Sequence, residues 1–127
     1  MTVAHRRYVP YAHAHYAGDL VDGAYALGLF GDVATELCIR GDGDEGLFAG
    51  YSEVRFCAPI RAGDVVEVTG QVTGVGNRSR TIEFSCAVLC RSSPDRGPTA
   101  AQVLDPPIVA VIATGTVVVP PLPSVPD

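Results

Sequence analysis

The clearest helical pattern in the chain lies in residues 13–40, which read HAHYAGDLVDGAYALGLFGDVATELCIR. Asp22 stands where a carboxylate can accept hydrogen bonds from the free N–H groups of a helix's first turn. We therefore predict a helix from Asp22 to about Arg40. Its apolar positions are Ala24, Ala26, Leu27, Leu29, Phe30, Val33, Ala34, Leu37 and Ile39. They surround the helix almost completely, which predicts that it is buried on most sides.

A few polar residues interrupt this apolar helix. The exceptions are Tyr25, Asp32, Thr35 and Glu36. Steps of four, three and four residues place Tyr25, Leu29, Asp32 and Glu36 along one stripe. Two carboxylates one turn apart on such a helix indicate either a functional role or an ion pair with an arginine across a subunit interface.

Composition limits the class of protein. The 127 residues are 47% hydrophobic and 18% charged, which indicates one globular domain. We assign residues 1–119 to it and 120–127 to a proline-rich tail. Because no apolar run has the length and flanks of a membrane span or a signal peptide, we expect a cytoplasmic protein without a membrane role. The formal net charge of −5 argues against nucleic-acid binding.

The basic residues and the cysteines exclude further chemistry. The chain contains arginine but no lysine, so a lysine Schiff base is impossible. The four cysteines are Cys38, Cys57, Cys86 and Cys90. They lack CxxC spacing and a secretory context, so we expect free, buried thiols and no metal site.

The segment before the helix predicts one strand and one loop. Tyr8, Val9 and Tyr11 indicate a short strand broken by Pro10, because proline is confined to strand ends and edges. Residues 13–18 follow as a loop. Its two histidines alternate and lack a third metal ligand nearby, so we interpret them as polar residues of a cleft or surface.

The segment after the helix predicts four strands. A turn at 41–46, GDGDEG, leads to a strand at 51–57, whose alternation sets Ser52, Val54 and Phe56 opposite Tyr51, Glu53 and Arg55. The next two strands have apolar faces at Val66, Val68 and Val72, and at Ile82, Phe84, Cys86 and Val88. Residues 92–107 have the composition of a loop. The β-branched run 108–118 indicates a central strand buried on both faces.

This order of elements, and several motifs, resemble the hotdog fold of acyl-CoA thioesterases and dehydratases over residues 8–119. The resemblance implies an α+β fold in which a curved antiparallel sheet wraps one central helix. More closely, the chain resembles the small aminoacyl-CoA ammonia lyases of the 3-aminobutyryl-CoA and β-alanyl-CoA type. The motifs that support this are HYAGDLVDGA, LFGDVATELCIRGDGDEGLF, VRFCAPIRAGD, VGNRSR and PIVAVIATGT.

The resemblance implies an activity and a substrate. A lyase of this type eliminates ammonia from a 3-aminoacyl-CoA, or adds an amine to an enoyl thioester. It implies no separate cofactor, because coenzyme A or the phosphopantetheine of a carrier protein is part of the substrate. An acyl carrier protein is therefore a possible partner. The alternatives are a hotdog thioesterase and a non-catalytic module that binds acyl thioesters.

The resemblance also implies where the thioester binds. In hotdog enzymes the carbonyl lies at the amino end of the central helix, where free N–H groups and the helix dipole stabilise an oxyanion or enolate. That implies Gly23 and Ala24 here, with His15, Tyr16 and Asp22 lining the site. Gly23 would serve either the backbone's close approach to the ligand or tight packing at the start of the helix.

The helix carboxylates are the candidates for proton transfer. Thioesterases with a GD-x-x-GG lead-in place a catalytic Asp seven residues after the last glycine, a position that Phe30 occupies here. This argues against hydrolysis. We expect Asp32 and Glu36 to be catalytic, one as a desolvated base with a raised pKa and the other as the group that holds the ammonium, with His15 and Asp22 as further candidates.

Coenzyme A is anionic, so an acidic protein needs local positive charge to bind it. Arg78 and Arg80 in the turn GNRSR are our candidates, with Arg61 as a weaker one. An ordinary soluble hairpin could show the same two arginines. Finally, exposed sheet edges and an apolar strand at 108–118 predict a homodimer or a larger homo-oligomer whose subunits complete each other's sites.

Overall fold

The computed structural model describes residues 1–121, in which one long helix packs against an antiparallel sheet of five strands. The elements are β1 (Thr2–Tyr8), α1 (Gly23–Asp42), β2 (Leu47–Phe56), β3 (Val65–Val75), β4 (Ser79–Ser92) and β5 (Ala101–Val118). Their order in the sheet is β1-β3-β4-β5-β2, so β1 and β2 are the edge strands. The predicted arrangement of a helix wrapped by an antiparallel sheet is confirmed.

Both ends of α1 are capped. The Asp22 side chain accepts a hydrogen bond of 3.3 Å from the Tyr25 amide, as the sequence predicts. At the other end Gly43 adopts a left-handed conformation (φ 67°) and donates its N–H to the Ile39 carbonyl. The helix therefore continues two residues past the predicted end at Arg40, because a glycine is available there for the terminating turn.

The prediction that α1 is buried on most sides is wrong within one chain. The buried residues of α1 are Ala26, Phe30, Val33, Ala34, Leu37 and Cys38. The sheet covers only this side, and a stripe formed by Ala24, Gly28, Asp32 and Ile39 is exposed. Ile39 is 49% exposed although it is apolar. The helix therefore carries more apolar side chains than one sheet can bury.

The helix approaches the sheet closely over β3. A Cβ on Gly70 would lie 2.6 Å from Cγ1 of Val33, so glycine is needed at this crossing. Nearby, the rings of Phe30 and Phe84 stack with centroids 4.9 Å apart. These contacts fix how far α1 lies above the sheet and hence where its amino end is held.

Strands β3 and β4 follow the predicted alternation. The buried residues Val66, Val68, Ile82, Phe84, Cys86 and Val88 all face α1 or the core around it. Their neighbours in sequence are half-buried or exposed on the other face. A two-residue period in these strands was therefore sufficient to identify the core face.

Strand β2 departs from the predicted alternation. Its register against β5 shifts between Phe48 and Gly50 and again between Tyr51 and Glu53. Because each irregularity inserts an extra residue, the side chains that pack on the core are Phe48, Tyr51 and Val54, three residues apart. Tyr51, predicted to lie opposite Val54, thus shares its side of the strand, and its hydroxyl donates to the Leu27 carbonyl at 3.4 Å.

Strand β5 is longer and less buried than predicted. It begins at Ala101, which pairs with Ser92, so the predicted loop 92–107 shrinks to 93–100. Burial on both faces is also wrong in one chain, since Val109 is 50% exposed and residues from Ala110 to Val117 alternate between buried and half-buried for most of their length. The cause is again that α1 covers only one face of the sheet.

The first strand lies earlier than predicted. It ends at Tyr8, and Tyr11–His13 form a short 3-10 turn after Pro10 rather than extended chain. The proline-rich tail was predicted at 120–127; β5 ends before it, and residues 122–127 lie outside the described part. Within residues 1–121, no helix has the length and hydropathy needed to cross a membrane.

Candidate active site

A cavity of about 430 Å³ opens at the amino end of α1. Three parts of the chain form it: the lead-in to the helix, the end of β2 with the turn that follows, and β5. The lining residues are Tyr16, Val21, Asp22, Gly23, Phe56, Cys57, Ala58, Pro59, Ile60 and Val111. The wall is mostly apolar, with polar groups concentrated at the start of the helix, as expected of a small-molecule site.

The start of α1 offers free hydrogen-bond donors to this cavity. Among residues 1–121, the amides of Gly23 and Ala24 donate no hydrogen bond to a backbone or side-chain acceptor. The first amides of any helix lack intrahelical acceptors, and the helix dipole adds partial positive charge there. Gly23 lies in the cavity wall, and Ala24 is exposed just beyond it. A carbonyl oxygen in the cavity could accept from both.

The sequence left open whether Gly23 serves close approach to a ligand or tight packing at the start of the helix, and the structure supports both. A Cβ on Gly23 would lie 2.6 Å from Cζ of Phe56, whose ring covers this residue. Glycine is therefore needed for tight packing between the end of β2 and the start of α1. The same absence of a side chain keeps the amide accessible from the cavity.

Of the three residues that the resemblance places in the lining of the site, Tyr16 and Asp22 are in the cavity wall, and His15 lies beside them without lining the cavity. Tyr16 is in the cavity wall, and the His15 ring meets the Tyr16 ring edge-on at a centroid distance of 4.7 Å. Nδ1 of His15 is 4.0 Å from Oδ2 of Asp22, a long contact between two partly exposed groups. His15 is thus positioned to interact with Asp22 at the rim of the cavity.

His13 belongs to a different contact. Its ring packs on Tyr25 with centroids 4.6 Å apart. Burial raises the pKa of the Tyr25 hydroxyl, with smaller effects from Cys86 and Arg7. The two histidines therefore do not act as a pair, and among residues 1–121 no three His, Cys, Asp or Glu side chains come together as a metal site.

Asp32 lies apart from the cavity. It follows Gly23 by nine residues, which at a rise of about 1.5 Å per residue is a separation of roughly 13 Å along the helix axis. Its side chain is exposed and forms no ion pair within residues 1–121. One chain therefore does not combine Asp32 with Asp22 and Gly23 in a single site.

Glu36 differs from the prediction in its environment. Its Oε1 lies 2.8 Å from Nε2 of His5, and its Oε2 accepts a hydrogen bond of 2.8 Å from Nε of Arg40. The hydrogen bond from Arg40, followed by that from His5, lowers the pKa of Glu36. Of the two predicted roles, the desolvated base with a raised pKa therefore does not fit Glu36 in this chain. The arginine partner of Glu36 belongs to the same chain and not to an interface.

The guanidinium group of Arg80 is also engaged in hydrogen bonds within the chain. Its Nε and Nη2 donate to the two oxygens of Asp42 at 3.1 and 2.8 Å, and its Nη1 donates to the carbonyls of Gly76 and Ser79. These contacts tie the β3–β4 turn to the end of α1. Arg80 thus has a structural role, whereas the sequence analysis predicted only a contact with coenzyme A. Arg78 and Arg61 are exposed.

Comparison with known proteins gives the family. The family model described as the thioesterase superfamily matches residues 23–88. This chain belongs to the thioesterase superfamily. It is 53% identical over 107 residues to a 3-aminobutyryl-CoA ammonia lyase of Acetoanaerobium sticklandii, and the match covers 84% of this chain and 85% of that relative.

Solved structures of this superfamily agree with the fold. A β-alanyl-CoA:ammonia lyase from Clostridium propionicum superposes with a TM-score of 0.89 at 36% identity, covering 94% of this chain and 85% of that one. A hexameric hotdog-fold thioesterase of Campylobacter jejuni superposes with a TM-score of 0.72 at 18% identity, covering 89% and 78%. The second comparison supports the fold alone. The predicted hotdog fold is confirmed.

Position 30 separates this superfamily member from the hydrolase pattern. Phe30, which occupies the position of a thioesterase's catalytic Asp by the motif count, is fully buried and stacks on Phe84. Its side chain therefore faces the core and not the cavity. This geometry agrees with the inference from sequence that the hydrolytic carboxylate is absent there.

Several residues of the site were not identified from the sequence. Phe56, Ile60 and Val111 form much of the apolar wall, although VRFCAPIRAGD and PIVAVIATGT, the motifs that contain them, supported the family resemblance and singled out none of the three as a site residue. Asp64, at the end of VRFCAPIRAGD, is 1% exposed and binds Arg91. The glycine before Asp64 is a local feature that could have drawn attention to this aspartate. Its partner Arg91 could not have been identified, because it lies 27 residues further along the chain.

Proposed function

We propose that this protein is an aminoacyl-CoA ammonia lyase, which eliminates ammonia from a 3-aminoacyl thioester or, in reverse, adds an amine to an enoyl thioester. The observation that supports this most strongly is 53% identity, over 84% of the chain, to a relative named for that reaction. The cavity at the start of α1 supplies a site of suitable size and chemistry.

The free amides at the start of α1 would activate the substrate. The thioester carbonyl accepts hydrogen bonds from Gly23 and Ala24, and the helix dipole stabilises negative charge on its oxygen. This makes the hydrogen on the neighbouring carbon more acidic. A base removes that proton to give an enolate. The electron pair then forms the carbon–carbon double bond as the carbon–nitrogen bond breaks, and the amine leaves with its electron pair and becomes protonated.

The apolar wall would hold the acyl part. Phe56, Ile60 and Val111 face the cavity, and burial of a short hydrocarbon chain against them is favourable. A volume of about 430 Å³ lies near the lower end of the range for small-molecule sites, so we propose a short acyl chain.

We propose that Asp32 is the base and that a second copy of the chain supplies it. Asp32 is exposed on the uncovered stripe of α1 and forms no ion pair among residues 1–121. In addition, β2 is an open edge of the sheet and can pair with another strand. A homo-oligomer would cover both features and bring Asp32 of one copy towards the cavity of the other. A relative of the same fold is hexameric.

For the nucleotide part of coenzyme A, or the phosphopantetheine of a carrier protein, we propose Arg61 of the same chain and Arg78 of a second copy, because Arg78 lies in the β3–β4 turn at the other end of α1. Both side chains are exposed, and Arg61 lies directly after the turn residues that line the cavity. Arg80 is a weaker candidate because its donors are already bound to Asp42 and to backbone carbonyls. Glu36 is similarly engaged by Arg40 and His5, which weakens its proposed role in holding the ammonium.

The test is to incubate the protein with crotonyl-CoA and ammonia and to analyse the products by mass spectrometry. A lyase forms the 3-aminobutyryl adduct and reaches the same mixture from the adduct side. Release of free coenzyme A without amine would support the thioesterase instead. No change with crotonyl-CoA, acryloyl-CoA or either thioester plus glycine would support a non-catalytic binding module. Glycine as the amine also shows whether the site accepts more than ammonia.

A further inference from the structure

A buried ion pair lies behind the wall of the cavity. Asp64 closes the turn 58–64 that follows β2, and its side chain is 1% exposed. Arg91, near the end of β4, donates from Nε to Oδ1 of Asp64 at 3.0 Å and from Nη2 to Oδ2 at 2.8 Å. Two parallel hydrogen bonds between planar groups fix their relative orientation.

The pair also fixes the backbone of the turn. Oδ2 of Asp64 accepts a hydrogen bond of 2.8 Å from the Arg61 amide, and Nη2 of Arg91 donates to the Pro59 carbonyl at 3.0 Å. The Asp64 amide in turn donates to the Arg61 carbonyl. The charges therefore hold the two residues that flank Ile60, a residue of the cavity wall.

This turn holds the lead-in to α1. The Val21 amide donates to the Ile60 carbonyl at 2.9 Å, and the Ala62 amide donates to the Asp19 carbonyl at 2.8 Å. Val21 comes directly before the capping residue Asp22. A continuous path of hydrogen bonds thus leads from Arg91 through Asp64 and the turn to the residues that set where the helix starts.

We propose that Asp64 and Arg91 are positioning residues that hold the Gly23 and Ala24 amides against the substrate carbonyl. The inference rests on the proposed lyase function for its chemical consequence. A bidentate pair in the interior contributes little net stability over apolar packing, because removing two charges from water is costly. The pair instead contributes a fixed geometry. The site needs this because it must place two amides against the substrate carbonyl, and a shift of about 1 Å can cost on the order of 100-fold in rate.

The test compares two similar ion pairs. Asp64→Asn keeps the shape of the side chain but removes its charge and one acceptor, and Arg91→Lys keeps the charge but loses the paired donors. The matched control is Asp42→Asn, which breaks the pair with Arg80 at the opposite end of α1. We expect kcat to fall about 10- to 100-fold in both site-side variants, with KM for the thioester changed less than about threefold. The control should lose stability without a comparable fall in kcat.

A second measurement does not depend on activity. Amide hydrogen exchange of the Val21 segment, residues 19–24, should become faster in Asp64→Asn and Arg91→Lys but not in Asp42→Asn. A fall in kcat that is equal in all three variants would overturn the proposal in favour of a general loss of stability, as would unchanged exchange at 19–24.

The two proposals can fail separately. If the parent forms no adduct, the lyase function is wrong, and exchange alone then decides whether the pair positions the helix start. If Asp64→Asn does not fold, Arg91→Lys supplies both measurements, because the lysine can still approach Asp64 as a point charge. A lysine variant with parental kcat and parental exchange would overturn the proposal.

Discussion

The ring of Phe56 lies directly over Gly23, so closely that a methyl group added to the glycine would come within 2.6 Å of the ring's Cζ. This contact joins the end of β2 to the first residue of α1 in the wall of the cavity. The Gly23 amide itself donates no hydrogen bond among residues 1–121. The structure thus explains a glycine that helix propensity alone disfavours.

Replacing Gly23 by Ala should impair the reaction while leaving the fold intact. The added methyl would push the Phe56 ring out of place, and the ring can move because its side chain is 59% exposed. We expect kcat/KM to fall about 10-fold or more, because the amides and the apolar wall are displaced. Steady-state kinetics and urea unfolding measure the two effects.

Gly41→Ala is the control for that change. Among residues 1–121, a Cβ at Gly41 would meet no atom within 4 Å beyond the backbone of its own helix, and the residue lies in the last turn of that helix. Alanine there should raise the free energy of unfolding by roughly 0.5–1 kcal/mol without changing the kinetics. Parental activity in Gly23→Ala would show that Phe56 and Gly23 do not shape the site.

The helix and the core face of β3 and β4 could be predicted because their signals are local. The capping carboxylate Asp22 and the two-residue period in residues 82–88 depend on neighbours along the chain. The alternation of side chains in β2 could not be predicted, because its two register shifts insert residues that no local pattern reveals. The start of β5 escaped because Pro106 and Pro107 indicate a loop, whereas pairing with β4 sets the strand from Ala101 onward.

The site was predictable in its position but not in its partners. The amino end of α1 followed from the family resemblance, and its capping from Asp22. The ion pairs could not be predicted from the sequence, because each joins residues that are distant along the chain: Arg80 with Asp42, and Arg91 with Asp64. These pairs change the interpretation of a charged residue from ligand contact to structural contact, and only the folded chain shows which applies.

The ion pair of Glu36 should make stability depend on pH in the acid range. Hydrogen bonds from Arg40 and His5 lower the pKa of Glu36 below its usual value of 4.5 in the folded state. The carboxylate therefore contributes stability above pH 4.5, and this contribution is lost as pH falls through the lower, folded value. We expect Glu36→Gln to be less stable than the parent at pH 7, with a difference that shrinks at pH values below 4.5.

Urea unfolding at a series of pH values measures this difference. Glu45→Gln is the matched control, because Glu45 is exposed and forms no ion pair among residues 1–121. It should show no comparable dependence. A Glu36→Gln variant whose deficit stays constant from pH 7 to about pH 3 would contradict a role for the ionised carboxylate.

The cysteines should differ in reactivity. All four are free; Cys38 and Cys86 are buried, Cys90 is half-buried and Cys57 is exposed, so the expectation of four buried thiols is wrong for Cys57. Burial raises the pKa of Cys86 to about 11, which leaves almost no thiolate at pH 8. We expect a thiol reagent to modify one group rapidly in the folded protein and four after unfolding.

The fast group should be Cys57. Its replacement by serine should remove the rapid phase, and a bound acyl-CoA should slow that phase in the parent because Cys57 lines the cavity. Rapid modification that persists in Cys57→Ser would show that another cysteine is more accessible than its burial indicates.

Asp32→Asn should abolish proton transfer without abolishing binding. The change keeps the size of the side chain and removes the base, so we expect kcat to fall by about 10²–10⁴ while the affinity for a thioester is retained. Kinetics in both directions and thioester binding by calorimetry measure this. The exposed carboxylates of the same chain supply a control in Glu45→Gln, which should retain parental rates.

Mixing variants tests whether the base comes from a second copy. Asp32→Asn has an intact cavity, and Gly23→Val, whose larger side chain would displace Phe56, keeps Asp32. If Asp32 acts on the cavity of its neighbour, co-expression of the two inactive chains creates mixed dimers with one complete site of two. A random mixture should then recover about one quarter of the parent's activity per chain. If Asp32 instead acts within its own chain, every site in the mixture carries a lesion and no activity returns. Parental activity in Asp32→Asn alone would exclude Asp32 as the base and direct the search to His15 and Asp22 at the rim of the cavity.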